Sequence, residues 1–434
     1  MNVKKILAPL ALVGLLAGCA AGGPGGGTAA TLDPKAEISG EITVWSWDTA
    51  AEALKRLAAD YEAENSGTTI KVVDVGYENA YDKLSVGLQA GSGLPDLVSL
   101  ETERAPGYIN EFPNGFINLN PVFADMKDDF DPSKWSAGSN DKDELMVAPW
   151  DSGTVALFFR SDYLTESGVD ASTLETWDDL ITAGEKIKAA TGHTLMSIDV
   201  TTGSMFTVML QQQGQGLFND DGEITITSPE AIAALTTLKT MNEKGLIKNI
   251  KGWDGRVTSA IDGDSAFAPE AVWWIGTLTG EAAEHAGKYG VTELPMFAAG
   301  DARTSNSGGS NLAIPAQAKN PNLAADFAKF ALANTKNQVS MMENDGLFPS
   351  YLPALHDPYF QQEESYFGGQ KVYELFADLT AKIPSITYTT DTAKASDIVA
   401  NAVVASVLNG ADPEKSLNDA AKQIATATGR KVAN

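Results

Sequence analysis

Residues 41–47 read EITVWSW, a short run rich in β-branched and aromatic side chains that is typical of a strand. Apolar side chains then recur at helical spacing between residues 54 and 61. Residues 69–75, TIKVVDV, repeat the strand pattern ahead of a second helical segment at 81–88. This alternation of strand and helix predicts an α/β fold with mostly parallel sheet.

Proline and capping residues mark further helix starts along the chain. A capping side chain stands directly before a proline at three places: Ser228-Pro229-Glu230, Asn320-Pro321 and Asp412-Pro413-Glu414. The body after residue 37 has about 400 residues, which exceeds what one hydrophobic core usually serves. We therefore expect two lobes joined by several strand-like crossings, with a binding cleft between them.

The N-terminus has the pattern of a bacterial lipoprotein signal. A short basic start at residues 1–5 precedes a dozen mostly apolar residues, too few to span a bilayer stably. Leu16-Ala17-Gly18-Cys19 then predicts cleavage after residue 18 and attachment of lipid to Cys19; a soluble signal peptide with a chance cysteine is the alternative. Residues 19–37 are rich in Gly, Ala and Thr, which predicts a flexible tether to the outer face of the cell membrane.

The net charge and the single cysteine exclude some ligands and some ways of stabilising the fold. The net charge is −26, and loss of Lys4 and Lys5 with the signal would make it about −28. Such an acidic chain repels phosphate backbones, which argues against binding to nucleic acid. Cys19 is the only cysteine, so an exported chain has no internal disulfide and burial alone must hold the fold.

Four stretches combine aromatic rings with carboxylates or small polar residues near predicted strand ends: WSWD (45–48), APWDSG (148–153), PEAVWWIG (269–276) and DGLFPS (345–350). Aromatic faces stack on the C–H faces of pyranose rings, and carboxylates accept hydrogen bonds from sugar hydroxyls. The candidate ligand-binding residues in these stretches are Trp47, Asp48, Trp150, Asp151, Glu270, Trp273 and Phe348. Each tryptophan has a place in the hydrophobic core as its alternative. Of the neighbours Trp273 and Trp274, one is expected to contact ligand and the other to pack.

The sequence gives little support for metal binding, phosphate binding or catalysis. The three histidines, His193, His285 and His356, are far apart in sequence and show no metal-binding spacing, so no metal or other cofactor is expected. GGPGGG lies in the predicted tether and follows no strand, which argues against a phosphate-binding loop. We expect no catalytic residue; the alternative is a glycoside hydrolase that uses two facing carboxylates from among Asp48, Asp151 and Glu270.

Taken in order, several stretches resemble a known family. They are GEITVWSW (40–47), LPDLVSLETERAPGYINEF (94–112), VALFFRSDYLTESGVD (155–170) with TWDDL (176–180), KYGVTELPMF (288–297) and GGSNLAIPAQAKNPNLAADFAKF (308–330). Behind a lipoprotein signal, this series is similar to the substrate-binding proteins of ABC importers in extracellular solute-binding family 1, whose best-known relative binds maltose. The sequence departs from that relative at Trp47-Asp48 and at Asp151, so maltose itself is not implied.

The resemblance implies a two-lobed periplasmic-binding-protein-like fold of type II, in which a hinge of several crossings closes the lobes over a sugar. It implies lobes at 38–150 with 308–380 and at 151–307 with 381–434. It also implies that Glu103 and Arg104 bind sugar hydroxyls and that Trp273 stacks on the sugar, although Glu103 and Arg104 have a solvated surface pair as their alternative.

Ser310 is a further candidate ligand-binding residue, and the two glycines before it suit a place where the backbone approaches either ligand or hinge. The expected partners are a carbohydrate, the transmembrane subunits of an ABC permease, and the membrane through the lipid on Cys19, with the protein itself a monomer. A phosphorylated polyol or an amino acid is the alternative ligand.

Overall fold

A computed structural model describes residues 31–433. The described strands are β1 (Gly40–Ser46), β2 (Thr68–Asp74), β3 (Leu97–Glu101), β4 (Val147–Pro149), β5 (Thr154–Arg160), β6 (Thr194–Ile198), β7 (Ile247–Asn249), β8 (Ser265–Ala271), β9 (Tyr289–Thr292), β10 (Ser305–Asn306) and β11 (Ser310–Ala313). The described α-helices are α1 (Asp48–Glu64), α2 (Tyr77–Ala90), α3 (Ala105–Glu111), α4 (Asn120–Phe123), α5 (Pro132–Ala137), α6 (Ser161–Ser167), α7 (Trp177–Thr191), α8 (Ser204–Gln212), α9 (Pro229–Glu243), α10 (Gly252–Asp262), α11 (Trp274–Glu281), α12 (Pro321–Leu332), α13 (Thr335–Asp345), α14 (Val372–Thr380), α15 (Thr392–Val407) and α16 (Pro413–Thr428).

The strands form two separate sheets. The first has the order β2-β1-β3-β11-β4, and the second has the order β10-β5-β8-β6-β7, with β9 also paired to β5. The α/β class and the division into two sheets confirm the expected two-lobed architecture. The expectation of mostly parallel sheet is wrong, because the crossing strands β5 and β11 run antiparallel to their neighbours.

Each sheet is covered by helices whose apolar faces build its core. In the first sheet, Ile42 and Val44 of β1 pack with Leu54 and Leu57 of α1 and with Phe327 of α12. These helices exist because apolar side chains recur every three or four residues and can be buried together against the sheet. A second core lies between β6 and helices α7, α8, α9, α15 and α16.

A third core covers the other face of β5 and β8. The aromatic ring of Phe158 on β5 lies 5.7 Å from that of Phe376 on α14, and Phe348 packs beside it. Residues 352–380, assigned to the N-terminal lobe from the sequence, thus pack against the second sheet. The apolar face of α14 explains this position, because it covers the face of β5 that carries Ala156 and Phe158. The lobe boundaries as a whole stay a prediction.

The chain passes between the sheets at neighbouring places. Residues 150–153 join β4 to β5, and residues 307–309 join β10 to β11. The segment 348–351 runs beside the first of these, where Ser152 donates a backbone hydrogen bond to Phe348 and Ser350 donates one to Trp150. These three segments form the connection between the sheets, which we call the hinge.

The predicted helix starts at Ser228, Asn320 and Asp412 are confirmed, since each side chain accepts a hydrogen bond from a backbone N–H in the first turn of its helix. Near the start of the described chain, Leu32 is buried in the first core and the backbone N–H of Asp33 donates to Asn322. The end of the predicted tether therefore contacts the body. Cys19 and the signal sequence lie outside the described residues.

Candidate functional site

A cavity of about 430 Å³ lies between the two sheets, beside the hinge. Its described lining includes the charged residues Glu103, Arg104 and Asp397 and the uncharged polar residues Thr202, Ser204, Thr207, Gln211, Asn306, Ser307, Thr387, Tyr388, Thr392 and Ser396. Glu103 and Arg104 follow β3 of the first sheet, whereas Thr202 and Ser204 follow β6 of the second. The cavity therefore lies in the cleft that the sequence predicted.

Glu103 and Arg104 stand together on the first-sheet wall. The backbone N–H of Gly308 donates a long hydrogen bond of 3.4 Å to the carboxylate of Glu103. Desolvation by the surrounding protein, and then the nearby negative charge of Glu101, raises the pKa of the Glu103 carboxyl. The guanidinium carbon of Arg104 lies 4.0 Å from the ring centre of Tyr81, and its Nε lies 3.4 Å from Glu101. Both residues are exposed, and these contacts hold them at the cavity wall. Their role in sugar binding stays a prediction.

The second-sheet wall supplies uncharged hydrogen-bonding groups. The hydroxyls of Thr202 and Ser204 lie 2.7 Å apart, and the Gln211 side chain is fixed between the carbonyl of Pro384 and the hydroxyl of Ser305. Burial raises the pKa of the Tyr388 hydroxyl, which therefore stays protonated and can donate. Donors and acceptors without net charge suit a neutral, hydroxylated ligand.

The structure separates the two neighbouring tryptophans. The side chain of Trp274 is buried, with 2% of its surface exposed, in the third core. Trp273 is only partly buried, and its indole Nε1 donates a 3.1 Å hydrogen bond to the carbonyl oxygen of Ser307, which lines the cavity. Trp273 is therefore the member of the pair that lies next to the cavity.

Trp47 and Asp48 lie at the same edge of the first sheet, where β1 ends and α1 begins. The Trp47 ring is mostly buried and lies 5.7 Å from the ring of Tyr81, the residue that Arg104 covers. Asp48 is exposed and adopts a left-handed backbone conformation with φ of 45°, which is uncommon for a residue other than glycine. Trp47 therefore adjoins Tyr81 and Arg104, and Asp48 follows it at the start of α1.

Asp151 and Ser310 lie inside the hinge, where the carboxylate of Asp151 accepts a 2.6 Å hydrogen bond from the backbone N–H of Ser310. The ammonium group of Lys134 donates to the Ser310 carbonyl at 2.9 Å and also contacts the Thr102 hydroxyl. Burial raises the pKa of Asp151 and lowers that of Lys134 to about 8. A Cβ at Gly309 would lie 2.4 Å from the carbonyl oxygen of Asp151. Gly309 therefore allows two backbone segments of the hinge to approach each other closely.

Trp150 and Phe348 lie in the cores. Trp150 is fully buried and its indole N–H donates to the sulfur of Met341 at 3.2 Å. The ring of Phe348 is buried against Phe360 in the third core. Neither side chain is among the described lining residues of the cavity.

Glu270 lines a different, small cavity within the second lobe, of about 20 Å³. Its carboxylate is paired with the guanidinium of Arg256 at 3.1 Å, and burial raises its pKa to about 7 even though Arg256 opposes this shift. The hydroxyls of Ser197 and Ser259 face the same small space. Glu270 therefore belongs to a buried polar cluster behind Trp274.

Sequence reasoning missed most of the second-sheet wall. Thr202, Ser204, Gln211, Asn306 and Tyr388 carry no motif, and small polar residues at strand ends are common in every α/β protein.

Within residues 31–433, no group of three or more His, Asp or Glu side chains could hold a metal ion. None of the helices in this range has both the length and the apolar character required to cross a membrane.

Comparison with known proteins gives one family model, described as bacterial extracellular solute-binding protein, that matches residues 56–368. The lactose-binding protein of Rhizobium radiobacter is 31% identical over 376 residues, covering 83% of this chain and 86% of that protein. The arabinooligosaccharide-binding protein of Bacillus subtilis is 24% identical, covering 98% of this chain and 99% of that protein. A B. animalis subsp. lactis ABC-transporter-associated binding protein, solved with β-1,6-galactobiose, shares the fold with a TM-score of 0.72 and 24% identity, covering 92% of this chain and 100% of that one.

Proposed function

Because the chain belongs to the bacterial extracellular solute-binding proteins, we propose that it is the substrate-binding component of an ABC importer that captures a neutral sugar or oligosaccharide. The ligand lies in the cavity between the sheets, and the hinge lets both walls close on it. A ligand that contacts both walls shifts the equilibrium towards the closed form.

One observation carries this proposal: uncharged hydrogen-bonding groups line the second-sheet wall of the cavity, Glu103 and Arg104 line the opposite wall, and an aromatic ring lies beside the cavity. Thr202, Ser204 and Tyr388 offer hydroxyls, Glu103 offers a carboxylate, and Trp273 offers a ring face for a sugar. A neutral ligand cannot be captured by net charge, so it must be oriented by several such hydrogen bonds. Hydrogen bonds to charged groups contribute roughly 1.5–3 kcal/mol each.

The names of the relatives support the same class of ligand. They include binding proteins for lactose, arabinooligosaccharide and galactooligosaccharide, and the B. animalis structure contains a galactobiose. A phosphorylated ligand is disfavoured, because Arg104 is the one cation among the described lining residues and it stands among the acids Glu103 and Asp397. The same acidic excess disfavours the carboxylate of an amino acid.

The protein has no hydrolytic role in this proposal. Of the three carboxylates that a glycoside hydrolase reading would use, Asp151 is bonded within the hinge and Glu270 is paired to Arg256 in another cavity, while Asp48 stands at the start of α1. These three carboxylates therefore do not form a facing pair of the kind that hydrolysis uses.

The lipid on Cys19 would hold the protein at the outer face of the cell membrane, where it delivers its ligand to the permease as a monomer. Attachment to a membrane raises the encounter rate with membrane-bound partners by keeping the protein nearby.

A thermal-shift screen tests the function directly. Lactose, galacto-oligosaccharides, arabino-oligosaccharides and maltose are added to the purified chain, with glucose 6-phosphate and glutamate as charged controls. A ligand at a hundred times its Kd stabilises the native state by about 2.7 kcal/mol, so at least one neutral sugar should raise the melting temperature. A rise with a charged control alone, or release of sugar products during incubation, would overturn the proposal.

A further inference from the structure

Trp253 is a large aromatic side chain that the fold leaves open to solvent. Half of its surface is exposed, and among the exposed large hydrophobic residues of the described chain it is the one aromatic, the others being Val73, Val86 and Leu408. An indole has a large apolar face, and leaving this face exposed loses the stabilisation that its burial would give.

The position of Trp253 is fixed by its neighbours at the edge of the second sheet. Strands β7 and β8 run parallel to β6, so the helices that follow them begin at the same edge as Thr202 and Ser204. The carboxylate of Asp199, which follows β6, accepts a 2.7 Å hydrogen bond from the backbone N–H of Gly252 at the start of α10. Trp253 is therefore held at the rim of the cleft.

Ring contacts connect Trp253 to the cavity. The ring centre of Trp253 lies 5.7 Å from that of Trp273 and 5.8 Å from that of the buried Trp274. The Arg256 guanidinium lies 5.9 Å from the ring centre of Trp253. Trp273 in turn is bonded to Ser307 at the cavity wall. Contacts thus lead from Ser307 at the cavity wall through Trp273 to the exposed Trp253.

Beyond Trp253 the surface forms an open hollow of about 590 Å³ between α10 and α11. Its lining adds the carboxylates of Asp254 and Glu281 and the hydroxyls of Thr258 and Thr277 to the exposed indole. An aromatic face bordered by carboxylates and hydroxyls has the same chemistry as the inner cavity.

We propose that Trp253 is a further ligand-binding residue, which stacks on an outer unit of an oligosaccharide whose inner units occupy the cavity. The inference rests on the proposed function and adds that the ligand is an oligosaccharide rather than a single sugar. Trp253 and Trp273 then act as consecutive stacking surfaces, and the affinity for a ligand increases with its length.

Calorimetric titration with a length series tests this inference. Lactose, galactosyl-lactose and digalactosyl-lactose form one series, and arabinobiose to arabinotetraose form a second. Wild-type affinity should rise with length in the series that binds. Trp253→Ala should remove that gain and lower the affinity for the tetrasaccharide by about tenfold, with a smaller effect on the disaccharide.

Two further variants make the result interpretable. Trp253→Tyr keeps a stacking surface and should recover most of the lost affinity. Leu408→Ala removes another exposed apolar side chain, one that follows the last residue of α15. Because α15 begins at the cavity and is about 24 Å long, Leu408 lies far from the ligand. This variant should bind like the wild type. Melting curves without sugar verify that all variants fold.

The outcomes separate this inference from the proposed function. Equal affinity of Trp253→Ala and wild type at every length, or wild-type affinity that does not rise with length, overturns the role of Trp253 while sugar binding stands. A wild-type protein that binds no member of either series contradicts the proposed function as well.

Discussion

The carboxylate of Asp151 accepts a 2.6 Å hydrogen bond from the backbone N–H of Ser310, and this bond joins two of the segments that connect the sheets. Asp151 precedes β5 and Ser310 begins β11, so the bond fixes their relative position where the chain changes lobes. Lys134 lies beside both residues and donates to the Ser310 carbonyl. The buried carboxylate of Asp151 and the buried ammonium of Lys134 thus both bond to the backbone of Ser310, and these bonds define the geometry of the hinge.

Asp151→Ala should therefore destabilise the fold before it affects the ligand. The substitution removes a charge-assisted hydrogen bond and leaves Lys134 less compensated, which should lower the free energy of unfolding by roughly 1.5–3 kcal/mol. Chemical denaturation measures this loss. An unchanged stability with much weaker sugar binding would show instead that Asp151 contacts the ligand, as the sequence suggested.

The buried carboxyl of Glu270 predicts a pH-dependent stability. Its pKa is raised from 4.5 to about 7, so the folded state holds the proton more tightly than the unfolded chain. The stability that Glu270 contributes is therefore complete below about pH 4.5 and is lost as the pH rises to about 7, at most about 3 kcal/mol in all.

Glu270→Gln keeps the size of the side chain and removes its titration. The free energy of unfolding of this variant should fall less than that of the wild type between pH 5 and pH 8, with the largest difference at the upper end. Denaturation at several pH values measures the difference. Parallel curves for both proteins would mean that the Arg256 pair keeps Glu270 ionised in both states.

The fold could be predicted from the sequence to a considerable extent, because its signals are local. Alternating strand and helix patterns, and capping residues such as Ser228 and Asp412, depend on near neighbours and identify elements reliably. The packing of residues 352–380 on the second sheet could not be derived. It depends on the fit of Phe376 to Phe158, more than 200 residues apart in sequence.

The site was predictable only in part, for a related reason. Trp150 and Trp273 stand in similar sequence surroundings, yet one lies in the core and the other beside the cavity. Burial is decided by the elements that pack over a residue, and these come from distant parts of the chain. Tyr388 and Thr202 show the converse, since only the meeting of distant segments brings them to one cavity.

The anchor prediction concerns Cys19, which lies outside the described residues. Cys19→Ala should abolish lipid attachment and release a soluble or uncleaved precursor, with sugar affinity unchanged because the predicted lipid site lies outside both lobes. Membrane fractionation and calorimetry of the purified variant measure the two effects. Normal processing and membrane retention of the variant would contradict the lipoprotein assignment.

Glu103 should contribute directly to affinity. Its carboxylate lies at the cavity wall beside the Gly308 N–H, and its loss removes an acceptor for sugar hydroxyls. Glu103→Ala should weaken binding by about ten- to a hundredfold with little change in melting temperature. Glu111→Ala, at the exposed end of α3, is the matched control and should bind normally. Equal binding by the two variants would remove Glu103 from the site.

Trp273 and Trp150 provide a paired test of stacking against packing. Trp273→Ala should weaken sugar binding at least tenfold while the protein stays folded, because the ring is partly exposed and lies next to the cavity. Trp150→Phe should instead lower the melting temperature, because it leaves a void in a close-packed core and a sulfur without its indole donor.

The sugar affinity of the folded Trp150→Phe protein should remain that of the wild type, since Trp150 lines no part of the cavity. Calorimetric titration and thermal melting of both variants measure the two quantities separately. If Trp273→Ala loses stability but keeps its affinity, its ring is part of the core and the stacking surface must lie elsewhere in the cleft. If Trp150→Phe loses affinity at full stability, the packing of Trp150 affects ligand binding through the hinge, and this residue belongs to the site as well as to the core.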